Sequence, residues 1–204
     1  MSNFSPAKYF DLKNFEFKEL FEGVDFVWEA IPRISNFIEQ KTKKKKIIIG
    51  KNTIIHKTAV IQGSAIIGEN CYIGPHTFIR ENCIIANNCH IGHGVEIKNS
   101  ILLPGAIPAH LNYIGDSIIG SNVNFAGGSI AANFRLDRKN VTVKDGKKII
   151  DTGLLKFGAI VGDKSVIGVN SVLNPGTILG KNTIIYPLTS VTGVHNEGET
   201  IRQR

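Results

Sequence analysis

Isoleucine or leucine stands at every sixth position from Ile49 through Ile55, Ile61, Ile67, Ile73, Ile79, Ile85, Ile91 and Ile97 to Leu103. A helix repeats every 3.6 residues and a plain strand every two, so this period suits neither. Four residues after most of these aliphatics comes a small or modest side chain: Thr53, Ala59, Ala65, Cys71, Thr77, Cys83, Cys89, Val95. A second run follows at Val161, Ile167, Leu173, Leu179, Ile185 and Val191, and Ile119 and Phe125 share its phase. Such a hexad describes a short strand with one inward aliphatic and a tight corner beside it. Three strands close an eighteen-residue triangular coil, and coils stack at about 4.8 Å. One coil cannot bury its apolar face; a stack can. The fold class expected is mainly β, a parallel β-helix prism.

The three cysteines all fall in the small column. They are too few, and odd in number, for a disulfide framework, and small residues at a corner account for them. The first forty residues differ, holding nine of the sixteen aromatics. Leu20, Val24, Val27, Ile31, Ile34 and Ile38 recur at helical spacing, and Pro32 predicts a kink or a second helix start. The organisation expected is a helical cap with a basic linker over 1–46, covering an open end of the solenoid. The β-helix follows over 47–194, and a tail over 195–204. Within the prism, Phe134 to Leu155 leaves the rhythm. Its "VTVK-DG-KKII" predicts a β-hairpin on an Asp-Gly turn, projecting as an arm.

The net charge of +7 raises the question of nucleic acid. Five of the lysines lie in the linker run Lys41–Lys46, and a second basic excess lies between Arg135 and Lys156. No basic helix or aromatic-interleaved sheet joins them, so a nucleic-acid function is not expected. No apolar run approaches the ~20 residues of a membrane span, and the N-terminus lacks a signal-like apolar core. The expected address is cytoplasmic.

Residues eighteen apart stack on one corner of the prism. The position after the inward aliphatic is mostly small, but one corner carries Gln62, Arg80 and Lys98. Two stacked cations repel unless something offsets them. A bound anion would do so, Arg offering a planar fork and Lys a point charge. Two splayed, solvated cations are the alternative. His110 lies in "ILLPGAIPAHLNYIGD", where two prolines and a phase slip interrupt the rhythm. The stretch is expected to leave coil geometry and present His110 as a general base. The remaining histidines, His56, His76, His90, His93 and His195, have no metal-site spacing.

The stretch "AHLNYIGDSIIGSNVNFAGGSIAANFR" resembles the acetyltransferase domain of the bifunctional enzymes that make UDP-N-acetylglucosamine. Their motif has the form "(A/G/N)HLxYxGDxxIGxNVNxGAGTxxxN". "VEIKNS" is similar to the family's "VEMKK" and "IRENC" to its "LRPGA", while "AANFRLDRK" looks more like the archaeal branch. The resemblance covers about 49–194 as repeat architecture, and its specific part runs from Arg80 to Lys139. It implies a left-handed β-helix, against the usual right-handed crossover, and a homotrimer with sites between subunits. It implies transfer of an acetyl group from acetyl-CoA to an amino-sugar phosphate, glucosamine 1-phosphate first, with no metal required. Galactosamine 1-phosphate or a nucleotide-linked amino sugar would be served by the same fold; a non-catalytic trimeric module related to sugar nucleotidyltransferases is the third reading.

By the same resemblance His110 is the base. Arg80 and Lys98 hold the phosphate with Lys139 assisting, and Tyr113, Asn124 and Asn133 orient the sugar. Acetyl-CoA lies along Gly127, Val169 and Pro187. Phe134 stands where bacterial members have tyrosine, and Val169 and Pro187 where they have small residues. Arg202 and Arg204 are candidates to replace a longer coenzyme-binding tail. The Gly-rich "GxGxR…PK" nucleotide-binding segment of the bifunctional enzymes has no counterpart here. "FEGVDFVWEAIPRISNFI" resembles the helical segment that joins such a domain to the prism.

Overall fold

The computed structural model describes residues 4–42 and 47–203. Lys43 to Lys46, most of the basic linker, and Arg204 lie outside the described residues. The prism is a left-handed parallel β-helix with three faces. The first face is one eight-stranded parallel sheet running from Ile47–Ile49 to Val194–His195. The third is a seven-stranded sheet that contains Phe78–Ile79, Glu96–Lys98, Tyr113–Gly115 and Ile130–Ala131. The second comprises three- and five-stranded sheets, joined where the Gly92 N–H donates to the Pro108 carbonyl at 2.9 Å. Parallel pairing continues into Thr200–Ile201, so the tail is laid into the last coil.

The hexad aliphatics from Ile55 to Ile97, and those from Ile119 onwards, point inward. Ile67, Ile85, Leu102, Ile119, Val161 and Leu179 are fully buried in one continuous core, and removing each from water contributes roughly 1.5–3 kcal/mol. The small column does more than leave room. Thr53 Oγ1 donates to the Gly68 carbonyl at 2.7 Å, Thr77 Oγ1 to Gly92 at 2.8 Å and Cys71 Sγ to Ala86 at 3.1 Å. Each side chain thus satisfies a corner carbonyl on the next coil. Asparagine supplies many left-handed corner residues, Asn70, Asn88 and Asn122 among them, because its short polar side chain tolerates positive φ.

The phase slip is simpler than expected. Ala65 pairs with Cys83, eighteen residues on, but Cys83 pairs with Ser100 and Ile101 with Ile118, seventeen on. Two coils each lose one residue at the corner between the third and first faces, where Asn99 and Asp116 turn with φ of 44° and 46°. Between those points the chain never leaves the coil. Ile107–Pro108 and Tyr113–Gly115 are strands with parallel partners. The prolines therefore do not release His110 from coil geometry, and the inward residue of this rung is Leu102, with Leu103 facing outward. The excursion from Asn133 to Phe157 leaves from that same corner one coil later.

The N-terminal segment lies along the first face, not over an end. Ile66, Ile84, Ile101, Ile118, Ile160 and Ile178 point outward from that face and are buried against Tyr9, Phe21, Trp28, Ile34 and Ile38. A stacked row of isoleucines needs cover more than a prism end does. The segment is built of a one-turn α-helix at Pro6–Tyr9, 3₁₀ turns at Lys18–Phe21 and Val27–Arg33, and a longer α-helix, Ile34–Thr42. The longer α-helix starts just past Pro32, whose ring forbids an interior helical bond. The hairpin pairs Thr142–Asp145 with Lys148–Asp151 about a Gly146-Lys147 turn, one residue beyond the expected Asp-Gly. Gly146 takes φ 58° there, which glycine does without strain. The hairpin does not project freely: Val141 and Val143 are fully buried in the same outer cluster.

Candidate active site

The corner between the second and third faces gathers four predicted residues into one ladder. The Gly128 N–H donates to the His110 carbonyl at 2.9 Å, Asn170 to Gly127 at 3.0 Å and Leu188 to Val169 at 2.9 Å. His110, Gly127, Val169 and Pro187 therefore occupy successive coils at the same corner position. His110 and Val169 are exposed. The His110 backbone N–H donates to Asn112 Oδ1 at 3.0 Å, and its ring makes no hydrogen bond among the described residues. His93 takes the rung before His110. It meets His76 edge-on, and His90 stacks on Tyr72.

The predicted phosphate corner lies at the other edge of the third face. The backbone register puts Arg80 beside Lys98, and Lys98 beside Gly115. The offset for the paired cations is internal. Arg80 Nη1 donates to Glu96 Oε1 at 3.0 Å, and Lys98 Nζ is 3.6 Å from Asp116 Oδ2. Glu81 stands between them, 3.7 Å from Arg80 Nε and 3.8 Å from Lys98 Nζ. Two cations thus face three carboxylates. Asp116 is buried and accepts from the amides of Asn99, at 2.7 Å, and Asn133.

Tyr113 stands between the two corners on the third face, in register with Glu96 and Ile130. Its hydroxyl reaches the Asn133 amide. A Cβ on Gly115 would sit 2.6 Å from both groups, so glycine leaves the room in which they meet. Burial raises the Tyr113 phenol above its usual range, and the Asp116 and Glu96 carboxylates add to this.

Not everything converges. His110 precedes the strand Tyr113–Gly115 and Lys98 is in register with Gly115 at its far end, so the predicted base and the cations stand at opposite edges of the third face, up to about 17 Å apart along an extended path. Asn124 pairs with Ile107 on the second face, round the corner from Tyr113. Lys139 is exposed on the excursion with no ion pair among the described residues; only its backbone N–H is held, by Asp137 Oδ1 at 3.3 Å. A cleft of about 400 Å³ lies between the N-terminal segment and a different corner, lined by Asp11, Pro104, Lys164 and Lys181, and includes none of the predicted residues. Sequence reasoning left out Glu81, Glu96 and Asp116. Their signal was their spacing: Glu96 and Asp116 lie sixteen residues after Arg80 and eighteen after Lys98, one coil on.

The family described as the GMPPB C-terminal domain matches residues 44–153. A bifunctional sugar-1-phosphate nucleotidylyltransferase/acetyltransferase of Sulfurisphaera tokodaii is 37% identical over 93 residues, covering 46% of this chain and 23% of that protein. The bifunctional protein GlmU of Methanococcus maripaludis strain C7 is 46% identical over 74 residues, covering 36% of this chain and 18% of its own length. The chain thus matches less than a quarter of either relative. Among solved structures, a mutant of AntD, an N-acyltransferase from Bacillus cereus, in complex with dTDP-4-amino-4,6-dideoxyglucose and coenzyme A, is similar at a TM-score of 0.47 and 17% identity. That likeness covers 78% of this chain and 81% of the other. LpxA from Acinetobacter baumannii is similar at 0.46 and 15%, covering 78% and 66%.

Proposed function

The chain belongs to the GMPPB C-terminal domain family, and from that premise we propose that it is an acetyl-CoA-dependent N-acetyltransferase acting on an amino-sugar phosphate, with glucosamine 1-phosphate as acceptor, in the cytoplasm. The observation that carries this reading is the ladder of His110, Gly127, Val169 and Pro187 on consecutive coils. A base on an exposed ladder along the stack suits a long coenzyme whose thioester must meet an amine at a fixed point.

His110 accepts a proton from the acceptor's amine as the nitrogen attacks the thioester carbonyl. The backbone N–H of Gly127 steadies the oxyanion. Collapse breaks the carbon–sulfur bond, and the departing thiolate takes the proton back from His110. Tyr113 and Asn133 orient the sugar across the third face, Arg80 and Lys98 hold its phosphate, and Lys139 assists from the excursion. No metal is needed for these steps. Asn124 and Tyr113 lie on different faces, and the two corners lie up to ~17 Å apart. A homotrimer, in which one copy's corner faces a neighbour's face, brings such groups around one acceptor. Galactosamine 1-phosphate and nucleotide-linked amino sugars are the alternative acceptors.

A second reading is a non-catalytic trimeric module. The internal neutralisation of Arg80 and Lys98 by Glu81, Glu96 and Asp116 favours it. The deciding assay is thiol release from acetyl-CoA with glucosamine 1-phosphate, galactosamine 1-phosphate and UDP-linked amino sugars. Release that falls ~10²-fold or more in His110→Ala supports the enzyme and its base. No release with any acceptor supports the module, and unchanged turnover in His110→Ala removes the histidine from the mechanism. Arg80→Ala should chiefly raise the KM for the acceptor.

A further inference from the structure

We propose that Glu81 sets the charge preference of the acceptor site by holding a carboxylate where a phosphate would sit; this rests on the amino-sugar-phosphate reading above. Its two oxygens are divided between the two cations, Oε2 towards Arg80 Nε at 3.7 Å and Oε1 towards Lys98 Nζ at 3.8 Å. A bound anion would be shared in the same way. The sequence context departs from the resembling motif: where that reads "LRPGA", this chain reads "IRENC", and a carboxylate stands in place of a proline.

The three carboxylates of the corner differ in how firmly they are held. Asp116 is buried and fixed by two asparagine amides. Glu96 makes a direct hydrogen bond to Arg80 at 3.0 Å. The Glu81 carboxylate has, among the described residues, only contacts longer than a hydrogen bond, and its side chain is 45% exposed. Glu81 is therefore the group that yields to an incoming anion. A phosphomonoester must displace it and enter a corner that already carries one negative charge in excess, whereas an acceptor with a neutral group there leaves it in place. Glu81 thus disfavours a dianionic acceptor relative to an uncharged one.

The test is the ratio of kcat/KM for glucosamine 1-phosphate to that for unphosphorylated glucosamine, which a purely structural effect does not move. Glu81→Gln should raise the ratio about fivefold, the size of one exposed charge pair, through a lower KM for the phosphate acceptor at unchanged kcat. Glu81→Asp, and the remote Glu69→Gln, should leave it as in the wild type. An unchanged or lowered ratio in Glu81→Gln overturns the proposal. If no acceptor releases thiol, the functional reading fails, and calorimetric titration with inorganic phosphate decides separately. Binding about fivefold tighter in Glu81→Gln and lost in Arg80→Ala upholds the role of Glu81; equal affinity, or no binding by either protein, overturns it.

Discussion

Asn112 holds His110 from beneath: its Oδ1 accepts the His110 backbone N–H at 3.0 Å while its Nδ2 donates to the carbonyls of Ala126 and Ser129 at 2.8 and 3.1 Å. The side chain is buried, at the corner position filled elsewhere by threonine, serine or valine. Asn112→Ala would leave the His110 N–H and the Ser129 carbonyl without this partner, while the Ala126 carbonyl keeps the Ser129 N–H and hydroxyl. The expected loss is about 2 kcal/mol or more, read from the urea midpoint. Turnover should fall as well, by less than in His110→Ala, because the imidazole survives but its backbone seat loosens. An unchanged midpoint would show that water replaces the amide at no cost.

Two glycines on the same corner make opposite predictions. A Cβ on Gly92 would collide with the Ala109 carbonyl, and backbone cannot step aside. Gly92→Ala should destabilise the fold by about 3 kcal/mol, as overpacked sites do, and reduce soluble yield. At Gly127 the nearest atoms to a Cβ are His110 Cβ and O at 3.8 Å, ordinary contact distance. Gly127→Ala should therefore leave the melting temperature unchanged while raising the KM for acetyl-CoA, since the methyl projects into the proposed coenzyme path. A normal acetyl-CoA KM in a fully stable Gly127→Ala protein would move that path off this ladder.

Asp116 joins the phosphate corner to the sugar-orienting pair, contacting Lys98, Asn99 and Asn133 at once. Asp116→Ala leaves the largely buried Lys98 ammonium and two amides short of a partner, and should cost about 3 kcal/mol or more. Asp116→Asn is the milder probe. It removes one of the carboxylates that raise the Tyr113 phenol, so the Tyr113 titration should move towards the ordinary tyrosine range. Ultraviolet titration of the wild type and this variant, against Tyr113→Phe to assign the signal, reads it.

The prism was legible because a six-residue period fits neither a helix nor a flat sheet and closes a three-sided coil in eighteen residues. The first face was legible too, had its doublets been read. Ile66-Ile67, Ile84-Ile85, Ile118-Ile119, Ile160-Val161 and Ile178-Leu179 each place one aliphatic inward and one outward. That outward row is what draws the N-terminal segment along the side of the prism. The hexad frame, counting one aliphatic per strand, hid it. The same frame placed the stumble inside Ile101 to Asp116, where the prolines are conspicuous. The actual deletions are at Asn99 and Asp116, because a corner loses a residue more easily than a paired strand does. Arg80 and Lys98 stack as their spacing required. Their carboxylate partners were missed because the stacking argument followed one column, while ion pairs form across neighbouring columns.

Asp163 fastens the N-terminal segment to the prism, and its pH dependence has a definite sign. Oδ2 accepts from the Asp11 backbone N–H at 2.6 Å and Oδ1 from Ser121 at 2.7 Å, while the Asp163 N–H donates to the Tyr9 carbonyl at 3.0 Å. Burial raises its carboxyl above the usual range, outweighing the two N–H donors that favour the charged form. The folded state therefore holds this proton more tightly than the unfolded chain does. The stability from that preference is fully present below the ordinary aspartate value of 3.8 and is lost as pH rises through the raised folded value. Glu19 and Glu199 run the other way, held low by the Lys41 ammonium and by the Asn196 backbone N–H respectively, and their contribution is lost as pH falls through their lowered folded values. Asp163→Asn keeps the other carboxylates and removes this one titration together with one acceptor. Urea unfolding followed by Trp28 fluorescence should show the variant less stable than the wild type by about 1–3 kcal/mol, with the gap wider at pH 4 than at pH 7. A gap that widens towards neutral pH would mean that the two N–H donors, not burial, control the carboxyl.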